Sequence, residues 1–366
     1  MKKIINIFCF LILLDVFFCC RFEGKDSYYF NGKIVDIDSS EKITKSVVSR
    51  PISLDGTHTG MVAAYDSLLI FWYPRFSNHF FNVFNVDTGE ELGYYCEKGQ
   101  GPNEAISVNC IFQFFKKNGN LMTMLYTYEG KLFFWNISQS IKQKRTVYDS
   151  IISYENDRMF FHFYKTNDTL FSFKASDYFS IEKISTPLYE KRTILTNELI
   201  DNYFIYKEEF VQNKNVETID FFYTWDAIRP DGSKIVQAMW HLPQLNVLDS
   251  NTGDIIGYRI SHKPDFSILN TDLKSLKIYY NSVQADNNYI YATYWGKDPW
   301  VDHEGTEAPF LNTIHVYNWN GKLLYELIAD RSFFRSIWLD HARNRLYSMD
   351  VNTDEVYYLD LDEYIY

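Results

Sequence analysis

The residues best suited to chemistry in this chain lie in one long loop of aromatic and acidic character. Residues 296–311 read Gly-Lys-Asp-Pro-Trp-Val-Asp-His-Glu-Gly-Thr-Glu-Ala-Pro-Phe-Leu, which is 16 residues between two strand-like runs. Loops of that length are commonly functional. Exposed Trp beside carboxylates suits stacking against a sugar ring or anchoring a protein partner. The candidate ligand-binding side chains are Trp295, Asp298, Trp300, Asp302, His303 and Glu304.

A second candidate, Glu104, ends the run Gly-Gln-Gly-Pro-Asn-Glu at residues 99–104. Gly99 and Gly101 allow positive φ, and proline cannot donate a ladder hydrogen bond, so the run is predicted to turn the chain between sheets. Glu104 could pair with Asp298 or Asp302 to hydrolyse or cleave a glycan. It could instead hydrogen-bond the backbone of its own turn, which is the commoner role for such a residue.

No catalytic or metal centre follows from these patterns. Asp302, His303 and Glu304 are consecutive, so in extended chain they point to alternating sides and make a poor metal site. Trp295 and Trp300 could simply cap a hydrophobic core. The sequence contains no Gly-x-Ser-x-Gly elbow, phosphate loop or CxxC pair. We therefore assign no catalytic residue, metal or cofactor, and a binding protein is favoured over an enzyme.

The first 20 residues differ from the rest. A basic head, Met1-Lys2-Lys3, precedes an apolar stretch that ends in Phe-Phe-Cys-Cys, which is the pattern of a secretory signal. The ending resembles the lipobox of bacterial lipoproteins, with Phe17 and Phe18 where Leu and a small residue are usual. Cys20 is the predicted lipidation site, because the residue before it is small. The alternatives are an ordinary cleaved signal or an uncleaved anchor.

Composition limits the classes of partner that the chain can bind. Its 366 residues carry a formal net charge of −11, which makes a nucleic-acid partner unfavourable. Aromatic residues make up 18% of the sequence and fit pleated, half-buried surfaces, so β structure is favoured. With the leader removed, Cys96 and Cys110 remain, and two buried thiols are favoured over a bridge.

A strand pattern recurs with a period near 40 residues. Apolar runs alternate with turns such as Asp-Thr-Gly, and Gly89, Gly130 and Gly253 are separated by 41 and 123 residues, the latter being three times 41. Four antiparallel strands per repeat are typical of a propeller blade. Six sets begin near residues 60, 107, 157, 221, 281 and 335, so the predicted fold is an all-β six-bladed β-propeller. The run 141–147 is the expected fourth strand of the second set.

The last set contains only three strand-like runs, and an unpaired edge is an aggregation liability. We therefore predict that an N-terminal strand, at residues 32–37 or 43–48, completes the last blade and closes the ring. The predicted domains are a signal peptide with lipobox at 1–20, a tether at 21–30 and a single propeller at 31–366.

The 99–104 run, the Pro-Asp-Gly-Ser-Lys turn at 230–234 and the lipoprotein-like leader resemble the TolB-like six-bladed β-propeller lipoproteins of Bacteroidetes-type bacteria. The resemblance covers the chain from about residue 30 onward and implies a propeller in the cell envelope, as an outer-membrane lipoprotein. It implies no catalytic residue.

The blade pattern places particular loops together. In a four-stranded antiparallel blade, the loops between the second and third strands share a face with the connections between blades. We call this the loop face, and it should collect residues 74–78, 99–104, 241–243 and 296–311. We predict that it binds a protein or carbohydrate partner, with a glycan hydrolase or lyase as the alternative. A purely structural scaffold would lack a concave pocket at the mouth of the ring.

Overall fold

The computed structural model describes residues 25–27, 29–109, 113–127, 130–153, 159–166, 169–176, 188–194, 196–207, 223–260, 277–297, 311–333, 336–350 and 353–365. Four short strands come first: β1 (Lys25–Asp26), β2 (Lys33–Asp36), β3 (Ile43–Val47) and β4 (Arg50–Pro51). Six antiparallel blades follow, as the sequence predicted.

The first three blades occupy residues 61–204. Blade 1 contains β5 (Met61–Tyr65), β6 (Leu68–Trp72), β7 (His79–Asn85) and β8 (Glu91–Glu97). Blade 2 contains β9 (Phe114–Lys117), β10 (Asn120–Tyr126), β11 (Lys131–Asn136), a helix α1 (Ile137–Gln143) and β12 (Tyr148–Ser153). Blade 3 contains β13 (Met159–Lys165), β14 (Thr169–Ser176), β15 (Leu188–Thr193) and β16 (Leu199–Phe204).

The second three blades occupy residues 224–360. Blade 4 contains β17 (Thr224–Ile228), β18 (Lys234–Met239), β19 (Gln244–Asp249) and β20 (Ile255–Arg259). Blade 5 contains β21 (Ile278–Ala285), β22 (Tyr289–Lys297), β23 (Thr313–Asn318) and β24 (Leu323–Ala329). Blade 6 has only β25 (Trp338–Asp340), β26 (Arg345–Met349) and β27 (Val356–Asp360) of its own, followed by a 3₁₀ turn (Leu361–Glu363).

Turn chemistry explains why the chain reverses where it does. Asn85 Oδ1 accepts hydrogen bonds from the backbone N–H groups of Asp87 and Thr88 at 2.9 and 3.2 Å, and Gly89 then takes φ +78°. Asp249 repeats the arrangement in blade 4, where Gly253 also has φ +78°. A side-chain acceptor followed by a left-handed glycine is the turn that the period-41 pattern detected.

An N-terminal strand closes the ring, as predicted, but the strand is β4. Arg50 and Pro51 pair antiparallel with Tyr358 and Tyr357 of β27 and supply the fourth strand of blade 6. The two predicted candidates have other roles. β2 adds a parallel outer strand to β20 of blade 4, and β3 adds one to β24 of blade 5.

The N-terminal segment is therefore a belt around the outside of the ring, and residues 25–51 are called the belt below. It begins nearer the N-terminus than the predicted boundary at residue 31, because β1 pairs with β2. Tyr29 and Phe30 are fully buried in the core between blades 3 and 4. The tether predicted over 21–30 thus overlaps the folded domain from Lys25.

Blade 2 departs from the predicted strands at one place. The run 141–147, expected to be the fourth strand, begins inside α1, and the fourth strand is β12. The Asn136 side chain caps the helix by accepting from Gln139 N at 3.0 Å, and Lys144 ends it in a left-handed conformation. This is a standard N-cap. Residues 141–143 therefore continue the helix, although their apolar neighbours also fit a strand.

Hydrophobic clusters lie between neighbouring blades. Trp135, fully buried, packs with Phe81 and Tyr95 of blade 1 at ring distances of 5.0 and 6.0 Å. Cys96 is a free, buried thiol in the same cluster, and burial raises its pKa. Within the described part of the chain, no helix has the length and apolar character needed to cross a membrane.

Candidate functional site

The loop face collects the described segments that the blade pattern assigned to it. Residues 74–78 and 241–243 each lie between the second and third strands of a blade, and residues 98–109 follow blade 1 towards blade 2. Blade 1 and its connection are joined directly. Lys98 donates backbone N–H to Asn78 O at 2.8 Å, and its Nζ donates to the carbonyls of Pro74, at 2.6 Å, and Phe76. Partial burial lowers the Lys98 pKa.

Glu104 locks its own turn, which is the commoner role considered from the sequence. Its Oε2 accepts from Gly101 N at 2.9 Å. Neither Gly99 nor Gly101 has positive φ, contrary to the expectation from the sequence. Gly99 is required for space instead, since a Cβ there would overlap Glu104 Oε2. In the turn formed by the Gly-x-Gly-Pro-x-Glu run, the Glu104 carboxylate therefore occupies the space that a side chain at position 99 would need.

Aromatic rings cover the edge of blade 1 beside this turn. Phe76 packs edge-on against Tyr73 and Tyr94, with centroids 5.1 and 5.7 Å apart, and His79 lies 6.1 Å from Tyr94. Tyr94 is 38% exposed. The sequence analysis did not single out these residues, although an aromatic in a loop between two strands is a signal that could have found Phe76.

A shallow hollow of about 310 Å³ adjoins the turn between blades 1 and 2. Its lining includes Glu104, Ile106, Lys131 and Phe133. Ile106 is 62% exposed and adds apolar surface at this hollow. We call Tyr73, Phe76, His79, Tyr94 and Ile106, together with the hollow, the blade 1 patch.

The predicted site residues of the long loop divide into two groups. Trp295 ends the second strand of blade 5, is half-buried and packs against the core between blades 5 and 6. Asp298, Trp300, Asp302, His303 and Glu304 lie outside the described residues. Of the predicted site residues, Trp295 and Glu104 therefore lie among the described residues. Trp295 belongs to blade 5, and Glu104 follows blade 1.

A further concavity lies at the opposite face. A cavity of about 320 Å³ opens at the central channel, next to the turns that join first and second strands, which define the turn face. Gln113 ties blades 2 and 3 together there, accepting from Lys165 N at 2.7 Å and donating to Lys165 O at 2.9 Å. Trp338 and Phe114 form an aromatic wall, with rings 5.4 Å apart. The sequence analysis did not predict this cavity, because its lining comes from five different blades.

A buried polar cluster between blades 3 and 4 was also missed. Asp226 Oδ2 accepts from Tyr189 Oη and, at 3.3 Å, from Gln237 Nε2, and it lies 3.3 Å from His162 Nδ1. These side chains are nearly or fully buried, and Asp226 also borders the central cavity. The row of polar side chains continues across blade 4 to Gln244, whose Oε1 accepts from Tyr29 Oη at 2.6 Å. The cluster thereby fixes the belt to the core.

Metal-binding chemistry finds no support in this geometry. No group of three or more His, Cys, Asp or Glu side chains that could hold an ion occurs in the part of the chain that the structure describes.

Comparison with known proteins identifies the family. A family model described as "TolB-like 6-blade propeller-like" matches residues 56–335. The chain belongs to this TolB-like family. The resemblance to the TolB-like six-bladed propellers is thus confirmed, as is the six-bladed fold.

Among solved structures, this TolB-like propeller is similar to two bacterial proteins. A putative exported protein from Bacteroides fragilis has 15% identity and a TM-score of 0.47, covering 78% of this chain and 80% of that chain. A calcium-binding protein, regucalcin, from Agrobacterium tumefaciens has 9% identity and a TM-score of 0.48, covering 87% and 95%. A search of curated proteins gave no match.

Proposed function

We propose that this TolB-like propeller is an exported, lipid-anchored protein of the cell envelope that binds a protein or carbohydrate partner on its loop face without catalysis. Export and anchoring rest on the basic head, the apolar stretch and Cys20 of the leader. In this proposal, the acyl group on Cys20 holds the protein in the outer membrane.

The observation that carries the binding proposal is the blade 1 patch. Phe76 and Tyr94 are in ring contact on blade 1, and the exposed Ile106 lines a hollow together with the Glu104 carboxylate and Lys131. Aromatic and aliphatic side chains beside a few polar groups are the usual composition of a recognition surface.

The patch is also pre-organised, which favours binding. Lys98 holds the 74–78 loop through three hydrogen bonds, and Glu104 holds the adjoining turn. A surface that is already ordered loses less conformational entropy when a partner binds.

The competing functions receive less support. A purely structural scaffold predicts no concave pocket at the mouth of the ring, and a cavity of about 320 Å³ opens there, on the turn face. The hydrolase or lyase alternative needs Glu104 as one of two free carboxylates, whereas Oε2 of Glu104 already accepts from its own turn.

A binding screen tests the proposal. The full chain is offered to envelope polysaccharides and, with a cross-linker, to whole envelopes, beside Phe76→Ala and a variant lacking residues 298–308. We expect a glycan or one envelope protein to be retained by the wild type and lost from at least one variant while the variants remain folded. If the wild type and both variants retained the partner equally, the proposal that the loop face is the binding surface would be wrong.

Anchoring is tested separately. Mass spectrometry of the mature N-terminus should find acylated Cys20, and Cys20→Ala should leave the membrane fraction. An unmodified N-terminus beyond residue 20 would instead indicate an ordinary cleaved signal.

A further inference from the structure

The belt fixes the point at which the chain leaves the folded domain. Lys25 and Asp26 pair with Lys33 and Ile34 on the outer edge of blade 4, and Tyr29 and Phe30 are buried just after them. The side of the ring that carries blades 3 and 4 therefore lies nearest to the leader.

Chain length then limits the distance to the anchor. Cys20 precedes Lys25 by five residues, which span at most roughly 18 Å when fully extended. This step rests on the proposed lipidation of Cys20. With a lipid at that residue, the outer edge of blade 4 must stay within that distance of the membrane surface.

An exposed apolar strand lies at the same place. Leu199, Ile200 and Phe204 of β16 are 48%, 49% and 47% exposed. β16 is the outer strand of blade 3, and among the described strands only β15 pairs along it. The belt touches its end, since Asn31 Nδ2 donates to Phe204 O at 2.9 Å and Asn31 N donates to Ile205 O at 3.0 Å.

The neighbouring blade carries a further exposed apolar side chain beside the belt. Ile256 of β20 is 37% exposed and pairs with Lys33 of the belt. Three large apolar side chains on a six-residue edge strand, next to the chain's route to its anchor, suit contact with an apolar phase.

We propose that Leu199, Ile200 and Phe204 form a membrane-contact edge that seats the propeller against the lipid bilayer. Apolar side chains of this kind enter the boundary between head groups and acyl chains. A protein contact beside the lipid orients the attachment of the ring. The ring then stands on its rim, and both the loop face and the turn face remain open to partners.

The test uses the full, acylated protein reconstituted into vesicles of phosphatidylethanolamine and phosphatidylglycerol. Ile200→Cys is labelled with bimane in a Cys110→Ala background, in which the remaining mature body thiol, Cys96, is buried. Quenching by a nitroxide on the lipid is then measured. The matched control is Ile106→Cys, whose side chain is more exposed than that of Ile200 but lies on the loop face.

We expect at least twofold stronger quenching at position 200 than at position 106. Equal quenching at both positions in acylated protein would overturn the membrane-contact edge while leaving the proposed anchoring intact. If Ile200→Cys formed disulfide-linked dimers and showed no quenching by lipid, the edge would contact a second copy of the chain. That result would also overturn the membrane-contact edge. Absence of the acyl group from Cys20, detected by mass, would remove the anchor and this inference together.

Discussion

Glu104 and Gly99 together fix the conformation of the 99–104 turn on the loop face. The carboxylate satisfies the Gly101 N–H, and the missing Cβ of Gly99 gives it room. We expect Gly99→Ala to displace the carboxylate and destabilise the fold by about 1–2 kcal/mol, because a hydrogen bond to a charged acceptor is lost. In a Glu104→Ala background, Gly99→Ala should be nearly neutral. Urea unfolding of the four proteins measures this coupling.

Gly119 provides the control for that experiment. Its φ is +77°, and a Cβ there would meet no atom within 4 Å, so Gly119→Ala introduces backbone strain alone. Its effect should be the same in the wild-type background and in the Glu104→Ala background. If Gly99→Ala behaved in this independent way too, the steric account of the turn would be wrong.

His315 makes a second residue-scale prediction, about pH. It is buried in blade 5, stacked on Tyr294 at 4.0 Å, and burial lowers its pKa below the usual 6.5. Its Nε2 lies 3.3 Å from Glu326 Oε2, and its Nδ1 lies 3.2 Å from Tyr317 Oη. A neutral ring that donates from Nε2 and accepts at Nδ1 fits both contacts.

The sign follows from proton binding. Because the pKa of His315 is lower in the folded chain than in the unfolded chain, the unfolded chain binds more protons near and below pH 6.5, and stability falls as pH drops from 7.5 towards 5.5. His315→Gln should reduce this slope in urea titrations at the two pH values. A slope as steep as that of the wild type would show that other groups govern the acid response.

At the scale of elements, the belt explains how blades 4, 5 and 6 avoid open edges. β2 and β3 add parallel outer strands, and β4 completes blade 6. Covered edges prevent pairing with other chains. The ring is therefore closed by residues far apart in sequence, at Arg50 and Tyr358.

An engineered disulfide tests that closure. Arg50 and Tyr358 are antiparallel partners, and such pairs have Cα separations within the range of a disulfide. We expect Arg50→Cys with Tyr358→Cys to form a bond under mild oxidation and to stabilise the fold by up to about 5 kcal/mol, since it closes a long loop. Thr44→Cys with Tyr358→Cys is the control, because Thr44 pairs with Glu326 of blade 5. A disulfide that formed in the control alone would show that residues 43–48, and not β4, close the ring.

The blades could be predicted because their turns carry local signals, and the belt could not. Asn85 and Asp249 with their left-handed glycines mark hairpins that the sequence shows directly. β4 has two residues, too few for any periodicity, and its partner lies some 300 residues away. The cap at Asn136 was a readable signal for α1, but the apolar residues after it also fit a strand.

For the whole molecule, loop topology was predictable and surface detail was not. The alternation of antiparallel strands fixes which loops share a face, and Lys98 bonds two of them together. The exposure of Ile106, the rings around Phe76 and the cavity on the turn face depend on packing between blades, which no local pattern encodes. The part played by Asp298, Trp300, Asp302, His303 and Glu304 stays a prediction.

Binding by Ile106 variants tests the central claim most directly. Ile106→Lys places a charge in the blade 1 patch, whereas Ile328→Lys places the same charge on blade 5, at a side chain that is 37% exposed. With the glycan or protein retained by the wild type as probe, we expect Ile106→Lys to weaken the Kd at least tenfold, about 1.4 kcal/mol. Ile328→Lys should stay within twofold of the wild type. Equal affinities of both variants would contradict partner binding at the loop face of blades 1 and 2.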